Sequence, residues 1–274
     1  MKKIGHLRLI IQILSLILFN LGVISAMETG VVAPAFYCHG CPAASFGCPI
    51  GVLQNFAVDR TLPYYAIGSL GLFGLVLGRF WCGWVCPFGA LQDLIIRLRR
   101  NRDVINLPPF PWLKYLSLLG ILLAAGLLAE AAFCKVCPSG SLFAAIPHEL
   151  FPSESAPGDV ILFQPSDEPD IGTFFYVHLA TLAVSLVLFV VIARFWCRYL
   201  CPLGAIFGAF NRVSVLKIRL DGSKCTGCKR CLSNCPAGFT EVESIGSSSD
   251  CIQCGKCINS CPTNALSISA SLRA

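Results

Sequence analysis

The sequence predicts an all-α polytopic membrane domain of four transmembrane helices with a two-fold internal repeat, followed by a small α+β domain. Three observations carry this. First, 55% of the 274 residues are hydrophobic and 13% charged, against about 25% charged in soluble domains, and the mean hydropathy is +0.70. Second, four apolar stretches are long enough to cross a bilayer. Third, most of the 17 cysteines fall into close pairs and runs, which points to metal and redox chemistry rather than a disulfide scaffold. The expected boundaries are a membrane domain over 1–215, with repeat halves of about 1–107 and 108–215, and a second domain over 216–274.

The first expected span is 9–26, after Lys2, Lys3 and Arg8. It also fits a cleaved leader loosely, although isoleucine at 24 suits a cleavage site poorly. Residues 27–60 read as a loop carrying Cys38-x2-Cys41-Pro42 and Cys48-Pro49. The second span is 62–78, where Gly74 and Gly78 allow close helix contact. Then comes Arg79-Phe-Trp-Cys82-x3-Cys86-Pro87. Over Ala90–Arg100, Leu91, Leu94, Ile95 and Leu98 share one helical face, which predicts a helix lying on the membrane surface. The third span, 112–132, leads into Cys134-x2-Cys137-Pro138. An acidic, proline-rich loop follows, from Glu149 to Asp170. The fourth span, 173–193, ends at Arg194-Phe-Trp-Cys197-x3-Cys201-Pro202.

Lysine and arginine set the orientation. Segments 1–8, 79–114 and 194–219 hold 3, 6 and 5 of them, whereas the intervening loops hold only Arg60 and Lys135. Both termini and both RFWC motifs are therefore expected in the cytoplasm of a multi-pass cell (inner) membrane protein. Cys38, Cys41, Cys48, Cys134 and Cys137 are expected outside. Nothing in the net charge of +6 points to nucleic acid. No Walker loop, catalytic triad or dinucleotide fingerprint accompanies the cysteines.

The membrane part reads as a duplication. RFWCGWVCPFGA at 79–90 matches RFWCRYLCPLGA at 194–205, and CHGCPAAS at 38–45 matches CKVCPSGS at 134–141. A parallel repeat brings Cys82 and Cys86 towards Cys197 and Cys201, and Cys38 and Cys41 towards Cys134 and Cys137. The inner set favours metal over plain core packing. The outer set is open to metal, a redox dithiol or disulfides. Cys48 has no counterpart in this pairing, being either a spare ligand or an inert thiol.

The C-terminal domain reads Cys225-x2-Cys228-x2-Cys231-x3-Cys235-Pro236, then Cys251-x2-Cys254-x2-Cys257-x3-Cys261-Pro262. This is the bacterial two-cluster ferredoxin spacing, in which the fourth cysteine of each run serves the other cluster. Cys225, Cys228, Cys231 and Cys261 are expected to hold one [4Fe–4S] cluster. Cys251, Cys254, Cys257 and Cys235 are expected to hold the second. Zinc sites or a disulfide knot are the rival readings, and the doubled rhythm fits them worse.

These motifs together resemble the NapH-type membrane-bound [4Fe–4S] ferredoxins, and they are similar to the membrane half of NosR. The resemblance covers roughly residues 60–270. It implies an electron carrier between the quinone pool, cytoplasmic clusters and a partner outside the cytoplasm, and it extends to Cys82, Cys86, Cys197, Cys201 and the eight ferredoxin cysteines. The outer cysteine motifs depart from NapH, and the exported flavin-bearing domain of NosR has no counterpart. Neither nitrate nor nitrous oxide is therefore carried over as a substrate pathway.

Among isolated residues, His178 near the outer end of the fourth span is a candidate for haem or quinone, but no second span carries a facing histidine. Glu130 is a candidate proton relay or an interfacial group. Gln12 and Asn20 suit interhelical hydrogen bonds. Lys224, Lys229 and Arg230 make a basic rim able to dock an acidic carrier. The favoured function is a membrane-anchored iron–sulfur electron-transfer protein. It would be a quinol-dehydrogenase-like subunit serving a membrane or extracytoplasmic redox partner. The alternatives are a transmembrane thiol or metal reductase working through the outer cysteines, and a redox maturation factor. A reductase would need a carrier between the two faces of a hydrocarbon core about 30 Å thick.

Overall fold

A computed structural model describes residues 3–21, 32–38, 45–98, 110–147 and 173–270. Residues 22–26 of the first expected span, His39, Cys41, the basic residues Arg99, Arg100 and Arg102, and the acidic loop from Glu149 to Asp170 lie outside the described residues.

The four expected spans fall on four apolar helices: α1 (Lys3–Phe19), α3 (Tyr64–Leu77), α6 (Pro111–Leu128) and α8 (Thr173–Val191). Of the described helices, only Pro111–Leu128 is long and apolar enough to cross a membrane; Ile4–Phe19, Tyr64–Leu77 and Phe175–Val191 are apolar and shorter. α3 stops early because Gly78 turns to φ +50, where a Cβ would stand 2.9 Å from Ser214, and left-handed φ is cheap only for glycine. α6 begins with Pro111 at its first turn and ends at the left-handed Ala129. All four helices turn large apolar side chains outward, such as Ile13, Leu72, Leu127 and Val187, the third of these 83% exposed.

Two regions expected as loops contain helices. α2 (Pro49–Val58) opens directly after Cys48, and α7 (Pro138–Gly140), continued by a π-helical turn over Ser141–Ala145, opens directly after Cys137. Proline at the first helical position makes each start a good one, since its fixed φ suits the helix and its missing N–H is not needed there. The same device opens α5 (Pro87–Leu98) after Cys86 and α9 (Pro202–Phe210) after Cys201. Short α4 (Phe80–Trp84) and a π-helical turn over Trp196–Leu200 carry Cys82 and Cys197.

The expected surface helix is half right. Leu91 and Ile95 pack on the core and Leu94 and Leu98 face out, but Gln92 and Asp93 are buried. The reason is electrostatic. Asp93 sits between the buried guanidinium groups of Arg8 and Arg194, paired with both. Burial alone would raise the Asp93 carboxyl, but Arg194 and Arg8 hold it below the usual carboxylate range.

The C-terminal unit has its own core of Ile218, Phe239, Ile245 and Leu266 among the cysteines. β1 (Leu216–Leu220) pairs antiparallel with β2 (Leu266–Ala270), Leu216 opposite Ala270 and Leu220 opposite Leu266. Short α10 (Arg230–Ser233) and α11 (Lys256–Ser260) each precede the fourth cysteine of a run.

Asp93→Asn should destabilise the chain by about 3–5 kcal/mol, because two buried guanidinium groups lose their counter-charge; thermal unfolding in detergent reads this. The depressed carboxyl stabilises above its unfolded value of about 3.9. That stability should therefore persist at neutral pH and fade only on acidification below about pH 4. The variant should show no such acid-dependent loss.

Candidate iron–sulfur sites

In the C-terminal unit the two cysteine runs cross. One cavity is lined by Cys225, Cys228, Cys231 and Cys261. A second is lined by Cys235, Cys251, Cys254 and Cys257. Each therefore takes three cysteines from one run and the fourth from the other. Backbone N–H groups already point at the sulfurs: Gly246 to Cys251 and Ala265 to Cys261, both at 3.3 Å. Such donors stabilise thiolates and cluster sulfurs. Burial pushes the Cys251 thiol up to about 12, so a metal must displace that proton to bind. Four cysteines lining each cavity, with backbone donors beside them, fit cubane clusters.

The inner set also converges. Cys82, Cys86, Cys197 and Cys201 are each buried and lie within electrostatic reach of one another. Every sulfur faces a donor. Arg79 reaches Cys82, the N–H groups of Gly89 and Phe36 reach Cys86, Gln92 Nε2 donates to Cys197 Sγ at 3.1 Å, and Gly204 N–H donates to Cys201 Sγ at 3.3 Å. The two RFWC arginines clasp the halves reciprocally. Arg79 donates to the Cys197 carbonyl at 2.5 Å, and Arg194 to the Cys82 carbonyl at 3.1 Å. Glycine is required beside the first clasp and favoured beside the second. A Cβ at Gly89 would stand 2.8 Å from the Cys82 carbonyl, and one at Gly204 would stand 3.1 Å from the Cys197 carbonyl.

The second ferredoxin cavity is seated on this inner set. Gly83, between Cys82 and Cys86, lies against Ile252, and a Cβ there would collide with the Ile252 carbonyl. Trp84 Nε1 donates to the Gln253 carbonyl at 3.0 Å. Gln253 in turn bonds Asn211 Oδ1 at 2.6 Å, and Asn211 donates to the Cys251 carbonyl at 2.9 Å. Asp250, one residue before the run, is held by Lys114 at 2.5 Å, with Arg79 at 3.9 Å. The loop carrying Cys251 and Cys254 and the turn carrying Cys82 and Cys86 are thus in backbone contact.

The outer cysteines are closer than a bilayer's thickness to the inner ones. Phe36 presents its N–H to Cys86 and packs on Phe88 and Trp196 at 5.3 and 5.8 Å between ring centroids. Cys38 follows two residues later, so its Cα lies within about 13 Å of the Cys86 sulfur by chain geometry alone. Cys137, in turn, is within electrostatic reach of Cys38, Cys48 and Cys134. Segment 32–38 reaches the inner set through Phe36, and Cys137 shares one core with Cys82, Cys86 and Cys201, so the two sets stand closer than the two faces of a hydrocarbon core. Cys48 joins the outer set rather than standing apart from it.

The isolated residues fall as follows. His178 is 3% exposed and meets Ser141 Oγ through Nδ1 at 2.9 Å, beside Gly140, so it supports the start of α7. Glu130 pairs with Lys135 at 2.5 Å on the surface. Gln12 bonds Asp93 at 3.1 Å, and Asn20 accepts from Tyr37 at 2.6 Å, both interhelical roles. Lys224 pairs with Asp221. The residues missed by sequence reasoning are Gln54, Gln92, Gly83, Asp250 and Lys114. The glutamines had a signal, the recurrence of CPxGxLQ at 48–54 and 86–92.

These sites define a ferredoxin-type iron–sulfur electron-transfer protein. A family model described as a 4Fe-4S binding domain matches residues 65–104, 110–147 and 174–221, and a 4Fe-4S dicluster domain matches 224–266. The chain belongs to the NapH-type [4Fe–4S] ferredoxin family. An uncharacterized protein of Methanocaldococcus jannaschii is 30% identical over 211 residues, 72% of this chain and 76% of that one. The ferredoxin-type protein NapH of Escherichia coli is 25% identical over 167 residues, covering 60% of this chain and 50% of its own. The methylamine utilization ferredoxin-type protein MauN of Paracoccus denitrificans is 31% identical over 188 residues, covering 65% and 56%. The chain thus spans about half the length of NapH and MauN. No solved structure matches it.

Gly83→Val should lift the 251–254 loop off the inner set while leaving the ferredoxin cysteines intact. The expected result is unchanged ferredoxin EPR signals with separate thermal transitions for the two units, where the native chain shows one.

Proposed function

We propose that the chain is a membrane-anchored iron–sulfur protein that passes electrons between the quinone pool, or a cytoplasmic donor, and a partner reductase. It binds two [4Fe–4S] clusters in the C-terminal unit, on the two crossed cysteine sets, and a further centre on Cys82, Cys86, Cys197 and Cys201. The observation that carries this is the seating of the Cys251–Cys254 loop on Gly83. A ferredoxin that delivered electrons only to soluble partners would have no reason to bury that edge against four more cysteines.

Charge supports the inner centre. Arg79 and Arg194 both act on Cys82, and a thiolate-ligated centre supplies negative charge where buried cations need it. Iron–sulfur clusters exchange single electrons. The chain's own side chains set how readily they do so, through the N–H groups aimed at the sulfurs. Multi-pass insertion in the cell membrane is supported by the outward apolar faces of α1, α3, α6 and α8, since soluble proteins rarely expose so much contiguous apolar surface. Lysine and arginine near Arg8, Arg97 and Arg212 favour cytoplasmic termini.

A second reading is a transmembrane reductase of disulfides or metal ions. It is favoured by the approach of Cys38 and Phe36 to Cys86, which removes the need for a carrier across the full bilayer. A redox maturation factor would use the same route towards a partner enzyme.

The test is iron and acid-labile sulfide per chain on anaerobic detergent-purified protein, beside the variant in which Cys82, Cys86, Cys197 and Cys201 are all serine. About twelve irons or more, falling to about eight or more in the variant by one cluster's worth, is the expected result. Equal iron in both would overturn the inner centre. Failure of any quinol or low-potential donor to reduce the clusters in membranes would remove the electron-transfer reading.

A further inference from the structure

The short helix after Cys48 and the short helix after Cys86 are the same construction. CPIGVLQ at 48–54 and CPFGALQ at 86–92 share Cys, Pro, Gly, Leu and Gln in register. In both, N–H groups at the helix start meet the sulfur, that of Gly51 on Cys48 and that of Gly89 on Cys86. In both, the glutamine six residues on is wholly buried. Its Nε2 is anchored on the carbonyl four residues back, Ile50 at 3.3 Å and Phe88 at 3.4 Å.

The likeness extends across the pseudo-symmetric partner. Gln54 Nε2 donates to Cys134 Sγ at 3.4 Å, as Gln92 Nε2 donates to Cys197 Sγ at 3.1 Å. Cys134 precedes Cys137-Pro138, as Cys197 precedes Cys201-Pro202. Gly140 N–H meets Cys137, as Gly204 N–H meets Cys201. A glutamine amide buried on a thiol across two helices is not a packing necessity, because burying its polar atoms costs free energy unless they find partners. The arrangement appears twice, each time beside cysteines drawn from both halves.

We propose that Cys38, Cys48, Cys134 and Cys137 hold a second iron–sulfur centre of the membrane part, built to the plan of the inner set. Gln54 positions Cys134 and donates to its sulfur. Cys48, which the repeat at 38–45 leaves out, is a ligand, the counterpart of Cys86. This rests on the inner set holding an iron–sulfur centre. It adds a site nearer the outer face, joined to the inner one through Phe36.

The experiment compares iron and acid-labile sulfide in the anaerobically purified full chain with those of Cys48→Ser, Cys86→Ser and the double variant. Ferredoxin EPR signals and monodisperse elution report folding. Cys48→Ser should lose as much iron as Cys86→Ser, and the double variant the sum of both losses. Gln54→Leu should keep its iron but shift the midpoint potential of one centre downward, as loss of an N–H to sulfur bond requires. Full iron in Cys48→Ser beside a loss in Cys86→Ser would overturn the outer centre and leave the inner one standing. Full iron in both would remove the inner centre and this one with it. Should Cys48→Ser fail to fold, Cys134→Ser gives the same comparison. Mass-spectrometric recovery of a disulfide among these cysteines in the native chain would equally overturn the proposal.

Discussion

A buried cation costs several kcal/mol unless an anion goes in with it. Here Arg8, Arg79, Lys114 and Arg194 are all at or below 2% exposure. Two carboxylates answer them, Asp93 for Arg8 and Arg194, and Asp250 for Lys114 and, at longer range, Arg79. The first group ties α1 to both halves of the repeat. The second ties the ferredoxin unit to α6 and the first RFWC motif. These two charge clusters fix where the cysteines stand. Arg79 bonds the Ser249 and Cys197 carbonyls, both at 2.5 Å, and also acts on Cys82. One side chain therefore touches each half and the cluster-bearing loop.

What could be read in the sequence was what a short stretch encodes on its own. The crossed ferredoxin runs were legible because the spacing itself wraps the chain around a cluster, and Cys261 and Cys235 line the cavities opposite their own runs. The inner set was legible because RFWC occurs twice. The helices were legible in kind, though α3 and α8 are shorter than the apolar stretches that announced them, since Gly78 and the RFWC turns stop them. The α2 and α7 helices were read as loops, because cysteine and proline look like breakers until the proline is seen to open a helix.

The docking was not legible. Gly83 reads like any glycine, and Asp250 like a loop acid, until Ile252 and Lys114 are placed against them. The pairing of 38–45 with 134–141 leaves Cys48 no partner, so the sequence alone reads it as either a spare ligand or an inert thiol. Its true relation is to Cys86, within the same half, and a comparison of halves alone does not find it. Gln54 and Gln92 carry no signal beyond their shared place in the repeated CPxGxLQ. Their meaning lies in what they reach, which is a sulfur on the other half.

The seat of the 251–254 loop has a bearing on how the protein comes to be made. With Gly83 against Ile252 and Trp84 fastened to Gln253, the ferredoxin unit covers the turn that carries Cys82 and Cys86, and all four inner cysteines are 6% exposed or less. A scaffold that hands over iron cannot reach them through that cover. A metal centre on these cysteines would then have its order of assembly set by the architecture. On the proposed reading, the centre on Cys82, Cys86, Cys197 and Cys201 would be loaded while the C-terminal unit is still being synthesised or still hinged away, and the closing of that unit would seal in what had been delivered.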